Sequence, residues 1–236
     1  MKRILKIGMD VHTTNYTLCA MEPIIGEDDR VFATIKVTPD YKNILMFIEN
    51  LKLKLGLNDE YDIQCGYEAG CLGYSLYNQL TAAGIKCVIL APTTMLTPQG
   101  VRIKTDMRDA YMIAQCLSYG GYHAVYIPTE DDDSVKEYLR MRNDHKLALK
   151  KIKQQINAFC IRHGFCYDGT KWTLSHLKWL KKLEITNGLY RETLDEYMAS
   201  YEEQEAKIER YDKRIGEIAE QTRYHDKVKK LGCFLG

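Results

Sequence analysis

Asp10, Glu68, Asp106 and Asp109 are the side chains whose type and spacing point most directly to chemistry. Asp10 lies near the end of the apolar run Ile4–Val11, and Glu68 directly follows another, Tyr61–Tyr67. Asp106 and Asp109 are three residues apart, a spacing that puts both on one face of a helix. Hard oxygen ligands converging from separate elements suit Mg²⁺ or Mn²⁺, and Mg²⁺ favours near-octahedral coordination completed by water. A pair of such ions about 3.5–4 Å apart would activate a nucleophile and stabilise the leaving oxygen in phosphoryl transfer. Each residue also has a plainer use. Asp10 could simply end a strand, and Glu68, before Ala69-Gly70, could be an exposed turn residue. Asp106 could be a helix N-cap, with Asp109 in the first turn favoured by the helix dipole. It is the coincidence of four carboxylates with one order of elements that favours a metal-binding site. Cys160, His163 and Cys166 form the nearest alternative cluster, but a structural zinc needs a fourth ligand and none is evident. With no close CxxC pairing, the eight cysteines read as reduced, ordinary side chains.

The elements that would position the carboxylates follow from hydrophobic pattern. Ile4–Val11, Tyr16–Met21 and Val31–Val37 are short strand-like runs, close enough to form an antiparallel meander. Pro39 opens a helix to about Leu55 with Ile44, Ile48 and Leu51 on one face. Tyr61–Tyr67 is a fourth strand, Leu72–Ala83 a helix stopped by Gly84, and Cys87–Leu90 a fifth strand. A meander followed by alternating helices and strands is the order of an RNase H-like α/β domain with a mixed five-stranded sheet. In that sheet the first and fourth strands are neighbours, so Asp10 and Glu68 would approach at one edge. Beyond Thr105 the pattern is helical: Asp106–Ser118, a long helix from an acidic turn at Glu130–Asp133 to about His163, then Trp172–Leu183. Positions 190, 194, 197, 201, 204, 208, 211, 215 and 218 alternate by 4 and 3 and hold Tyr, Leu, Tyr, Tyr, Gln, Ile, Tyr, Ile and Ile. This predicts a coiled-coil seam whose partner is another helix of the chain or a second protomer. The expected division is 1–128 for the RNase H-like domain, 129–228 for a helical coiled-coil domain, and 229–236 for the start of a further domain.

Net charge is +1 over 236 residues, but it is unevenly spread. Residues 136–183 hold 12 basic and 3 acidic side chains, while residues 1–135 are net −5 and residues 184–236 net −3. A sustained basic block suits a polyanion. Arg140, Arg142, Lys146, Lys150, Lys151, Lys153, Lys178, Lys181 and Lys182 are its candidate phosphate contacts. Arg102, Lys104 and Arg108 flank the third carboxylate segment and would either meet nucleic acid there or balance the acidic cluster. No apolar run approaches the roughly 18 residues of a membrane span, and the N-terminus lacks a signal-peptide core. The expectation is a cytoplasmic protein.

The segments IGMDVH (7–12), GYEAG (66–70) and KTDMRDA (104–110) resemble the DEDD transposases of the insertion sequence 110 family, RuvC-like enzymes that act as bridge-RNA-guided recombinases. The resemblance runs from residue 4 to the end, and its third segment is the most specific. It implies a RuvC-like domain followed by helical coiled-coil structure, with Asp10, Glu68, Asp106 and Asp109 as catalytic metal ligands for Mg²⁺ or Mn²⁺. It further implies a bacterial protein, a structured guide RNA, donor and target DNA as partners, and dimers that pair into tetramers. Family members carry a C-terminal domain with a serine nucleophile, and KVKKLGCFLG resembles the entry to it. The expectation is therefore metal and nucleic-acid binding without complete recombination. Other readings remain open at this point: a stand-alone structure-specific nuclease, an actin-like ATPase suggested by Ile7–Asn15, or an RNA-binding scaffold. The ATPase reading lacks a second Asp-Gly phosphate loop and a glycine-rich adenosine site.

Overall fold

A computed structural model of the chain describes residues 3–24, 28–56, 61–95 and 105–234. It divides into two compact units, residues 1–127 and 128–236.

In the first unit, β1 (Arg3–Val11), β2 (Tyr16–Glu22), β3 (Arg30–Val37), β4 (Tyr61–Glu68) and β5 (Lys86–Leu90) form one sheet in the order β3-β2-β1-β4-β5. β1, β2 and β3 are an antiparallel meander, whereas β4 and β5 run parallel to β1. This mixed sheet is the RNase H-like arrangement expected from the order of strand signals. Alternation along β1 decides what each face receives. Leu5, Ile7 and Met9 are fully buried in a core with Ile44, Phe47, Ile48 and Leu51 of α1 (Tyr41–Leu55) and Leu76 and Leu80 of α2 (Ser75–Ala82). Lys6, Gly8 and Asp10 take the other face, which α3 (Asp106–Tyr119) covers.

Gly8 is what lets α3 lie this close. A Cβ there would run into Ala110 O and Ala114 N and come within 2.8 Å of Ala114 Cα, all rigid backbone. One strand further, Gly66 admits the Leu117 side chain in the same way. α1 has a clear start and stop. Asp40 accepts from Lys42 N at 2.9 Å, and Gly56 closes the helix in the left-handed region at φ 58°. α2 begins at Ser75 rather than Leu72, because residues 71–74 turn through Gly73 at φ 55°.

The second unit contains α4 (Glu130–Arg162), α5 (Leu174–Lys181), α6 (Gly188–Ala219) and α7 (His225–Gly232). The acidic run Glu130–Asp133 is the first turn of α4, not a turn before it. Thr129 caps the helix, and carboxylates there complement the N-terminal dipole. α5 starts at Leu174 because Trp172, at φ 66°, breaks the helical path and Thr173 takes the cap. The pattern did not predict α7, which runs through residue 228, the expected boundary.

α4 and α6 run antiparallel. Arg142 meets Asp212, Lys153 meets Glu205, and His163 packs on Tyr190. The heptad stripe of α6 faces α4. Leu194 and Tyr201 are buried with Ile156 and Phe159, Gln204 bonds His145 at 2.8 Å, and Tyr211 packs on Tyr138 and His145. Of the two partners the heptads allowed, α4 of the same chain lies against part of the stripe. Cys160 and His163 serve packing. Cys160 is in the core and the His163 ring lies between Phe159 and Tyr190, while Cys166 is exposed.

Candidate metal centre

Strand register builds one half of the site. Asp10 of β1 lies opposite Thr17 of β2, and Thr17 lies opposite Lys36 of β3. On the other side, Met9 pairs with Tyr67 of parallel β4, so Glu68 is the next residue beside Asp10. Lys36, Thr17, Asp10 and Glu68 therefore form a row across the sheet. Gly8 and Gly66 precede Asp10 and Glu68 by two residues and face α3, so both carboxylates share that face.

α3 supplies the other half. Its path over Gly8 hangs its first turn above the end of β1. Thr105 caps the helix by accepting from Arg108 N at 3.4 Å, which fixes Asp106 and Asp109 in that turn. The β1–β2 hairpin adds a group absent from the sequence nominations, His12. Its N–H donates to Asn15 O at 2.9 Å, and its Nε2 lies 3.1 Å from Asp10 Oδ2. Lys36, equally unforeseen, reaches across to Asp106 with Nζ 2.8 Å from Oδ2.

Asp10, His12 and Asp106 can each direct one ligand atom into a cluster no wider than 4.8 Å. Glu68 and Asp109 fall outside that tight group. Glu68 sits half-buried on the neighbouring strand, and Asp109 acts on Asp10 through its charge. Burial pushes the Asp10 carboxyl above its ordinary value, Asp109 and Asp106 push the same way, and His12 opposes them. The Lys36 hydrogen bond and charge hold Asp106 below the usual carboxylate range. Thr17 is fully buried, and its hydroxyl has no hydrogen-bond partner among the described residues. Repelling carboxylates beside a histidine and an unsatisfied hydroxyl suit a divalent cation and its water. A chelated cation would lower the repulsion around Asp10 that the Lys36–Asp106 pair leaves in place.

The candidate phosphate contacts divide into two groups. Arg140 pairs with Glu137, Arg142 grips Asp212 at 2.7 and 2.9 Å, Lys153 meets Glu205 at 3.5 Å, and Lys181 meets Glu202 at 2.7 Å. Lys146 is exposed and close enough to feel the Asp212 charge. Lys150, Lys151, Lys178 and Lys182 are exposed and form no ion pair with the described residues. Arg108 is exposed in the first turn of α3, whereas Arg102 and Lys104 lie outside the described residues. The sequence did carry a signal for His12: it stands two residues after Asp10 and so shares its face. Lys36 had no such signal, because its place depends on the pairing of two further strands.

The family model and the curated relatives point to one family. The model for the DEDD transposases of IS110, described as Transposase, matches residues 7–161. The transposase for insertion sequence element IS1533 from Leptospira borgpetersenii is 34% identical over 240 residues, covering 100% of this chain and 67% of that protein. A protein assigned as transposase y4qE from Sinorhizobium fredii is 35% identical over 131 residues, covering 55% of this chain and 34% of its own length. The chain thus spans about two thirds of one relative and about one third of the other. Among solved structures, Thermus thermophilus RuvC with a Holliday junction substrate matches 51% of this chain and 99% of its own, at 13% identity and TM-score 0.34. A second Thermus thermophilus RuvC structure matches 51% of this chain and 99% of its own, at 10% identity and TM-score 0.33. With a family model matching well over half its length and a relative at 34% identity along the whole chain, the chain belongs to the IS110-type DEDD transposase family.

Proposed function

We propose that the chain is the metal-binding, nucleic-acid-binding part of a transposase that cuts and exchanges DNA strands under the direction of a bridge RNA. The observation that carries this reading is the convergence of Asp10 and Asp106 beside His12, with Glu68 next in the row and Asp109 in the same helical turn. Asp10, Glu68, Asp106 and Asp109 would hold Mg²⁺ or Mn²⁺. Held by these residues, such a cation would supply Lewis-acid chemistry toward a phosphoryl oxygen and a water of lowered pKa.

The chain's own residues do the rest. The sheet fixes Asp10 and Glu68 on adjacent strands, and α3 brings Asp106 and Asp109 over them. Lys36 pairs with Asp106 and offsets its charge at the edge where a phosphate backbone would pass. In the helical unit, Lys150, Lys151, Lys178 and Lys182 are exposed cations available to RNA or DNA. Base pairing by the guide RNA would select the sequence, so these lysines need only hold backbone.

Calorimetric titration of Mg²⁺ and Mn²⁺ tests the centre. Wild type binds, and Asp10→Asn and Asp106→Asn lose most of the affinity. Equal binding by all three sinks the assignment. RNA guidance is tested separately, by binding of the chain to the RNA and DNA that flank the gene. Cleavage of branched DNA without any RNA would favour a stand-alone nuclease instead.

A further inference from the structure

We infer that His12 is a direct nitrogen ligand to the cation of this centre, and that it biases the centre toward a transition-metal ion such as Mn²⁺ over Mg²⁺. The inference rests on the reading of the carboxylate cluster as a metal centre, and adds to it a ligand and a selectivity.

Position comes first. Along β1 and into its hairpin, Lys6, Gly8, Asp10 and His12 alternate onto the face that α3 covers. His12 is not carried on a loose loop. Its backbone N–H closes the hairpin onto Asn15 O at 2.9 Å, one residue after the last β1–β2 pair, Val11 with Tyr16. The backbone bearing the imidazole is therefore fixed relative to Asp10 by the sheet itself.

Distance comes next. Two neighbouring ligands on an octahedral ion with bonds of about 2.1 Å lie roughly 3 Å apart, and two opposite ligands roughly 4.2 Å. His12 Nε2 and Asp10 Oδ2 are 3.1 Å apart, already the spacing of neighbouring ligands. Asp106 completes a triangle with no side over 4.8 Å, which a small side-chain rotation closes. About half of the His12 side chain is exposed, so the ring has room to make that adjustment.

The chemistry then selects the ion. Mg²⁺ is a hard cation that takes oxygen ligands and keeps its waters, whereas imidazole nitrogen favours first-row transition metals. A set of two carboxylates and one imidazole is therefore better matched to Mn²⁺.

Electron spin-echo spectroscopy of the Mn²⁺-loaded full chain reads this out independently of activity, because a directly bonded ¹⁴N modulates the echo. Wild type shows that modulation, and His12→Ala and His12→Gln lose it. Mn²⁺ affinity of both variants falls roughly 10- to 100-fold, the scale seen when a metal site loses a supporting ligand group. Mg²⁺ affinity, measured by competition, changes by less than about threefold. His12 lies on an exposed hairpin, and an unchanged melting curve in chelator verifies that each variant is folded. Mn²⁺ bound by wild type without ¹⁴N modulation, or modulation that survives in His12→Ala, overturns the inference while the metal centre stands. Failure of wild type to bind either ion, or binding indifferent to Asp10→Asn and Asp106→Asn, overturns the underlying reading instead.

Discussion

The two units handle charge in opposite ways. In the sheet unit, register sets Asp10 and Glu68 side by side on adjacent strands and α3 brings Asp106 and Asp109 to the same face, where Lys36 is paired with Asp106. In the helical unit, opposite charges are laid side by side along α4 and α6: Arg142 with Asp212 and Lys153 with Glu205, and beyond them Arg223 with Asp131 and Asp132. The first arrangement concentrates repulsion that a cation can relieve. The second neutralises most of its charge internally and leaves a few lysines outward. The proposed function of the first unit thus depends on where the backbone places its carboxylates. In the second it depends on which charges remain unpaired.

The largest expected effect tests that dependence on placement. Gly8→Ala puts a Cβ into the backbone of Ala110 and Ala114, so α3 must lift and Asp106 and Asp109 move with it. The expected cost is about 3 kcal/mol for the sheet unit, the scale of overpacking a rigid core. Denaturant unfolding followed by separate probes should show that unit's transition shift while the helical unit's stays. A variant as stable as wild type, with metal binding intact, would mean that Gly8 does not set the height of α3.

Next in size is nucleic-acid affinity. Lys150→Glu with Lys151→Glu removes two exposed cations that have no carboxylate partner among the described residues. Affinity for RNA should fall at least about tenfold at moderate salt. The slope of log affinity against log salt should flatten by roughly 0.7–0.9 for each phosphate no longer neutralised. Filter binding at several salt concentrations measures both. An unchanged slope would mean that the outward lysines of α4 do not meet phosphate, and the contrast between the units would lose its second half.

The units should also respond to pH with opposite signs. Asp10 has a raised carboxyl pKa, so the folded sheet unit holds that proton more tightly than the unfolded chain. Its contribution is present below 3.8 and is lost as pH rises through the higher folded value. At neutral pH in chelator the ionised Asp10 is a burden, and Asp10→Asn should stabilise the metal-free unit by about 1 kcal/mol. His176 is the counterpart in the helical unit. Burial among Tyr167, Trp172 and Trp179, with Lys171 adding to it, lowers its pKa, and its Nδ1 accepts from Trp172 N at 3.1 Å. Its contribution is present above 6.5 and is lost as pH falls from there through the lowered folded value. Thermal melts from pH 4 to 8, read by near-ultraviolet signals of each unit, would show the two trends. Parallel trends would sink the contrast in charge.

Much of this was legible in the sequence, and the exceptions share a cause. The five strands and the positions of Asp10, Glu68, Asp106 and Asp109 near their ends and on α3 followed from local periodicity and turn residues. His12 was legible in principle, two residues beyond Asp10, but a lone histidine after a strand looks like any hairpin residue. Lys36 was not legible, because its reach to Asp106 depends on two strand registers and on the height of α3. The α6 stripe was legible as a seam, but its partner was not. Heptad spacing reports that a face is covered, not by which helix. Charge counting likewise found the basic block but could not tell its paired members from its free ones.

The smallest expected effect separates those paired from the free. Arg142 grips Asp212 through two parallel hydrogen bonds across the α4–α6 seam, but both partners are partly exposed. Exposed pairs of this kind contribute about 0.2–1 kcal/mol. Arg142→Ala should therefore lower the melting point of the helical unit only slightly. Its effect on RNA affinity should be weaker than that of replacing Lys150 alone, because Asp212 already occupies its guanidinium. Asp212→Asn provides the sharper arm. It releases Arg142 without removing it, so RNA affinity should rise by about twofold while stability falls by a few tenths of a kcal/mol. If Arg142→Ala weakens RNA binding as much as Lys150→Ala, then Asp212 does not hold Arg142 in solution. The charges along α4 would then act as one continuous field rather than as paired and free members.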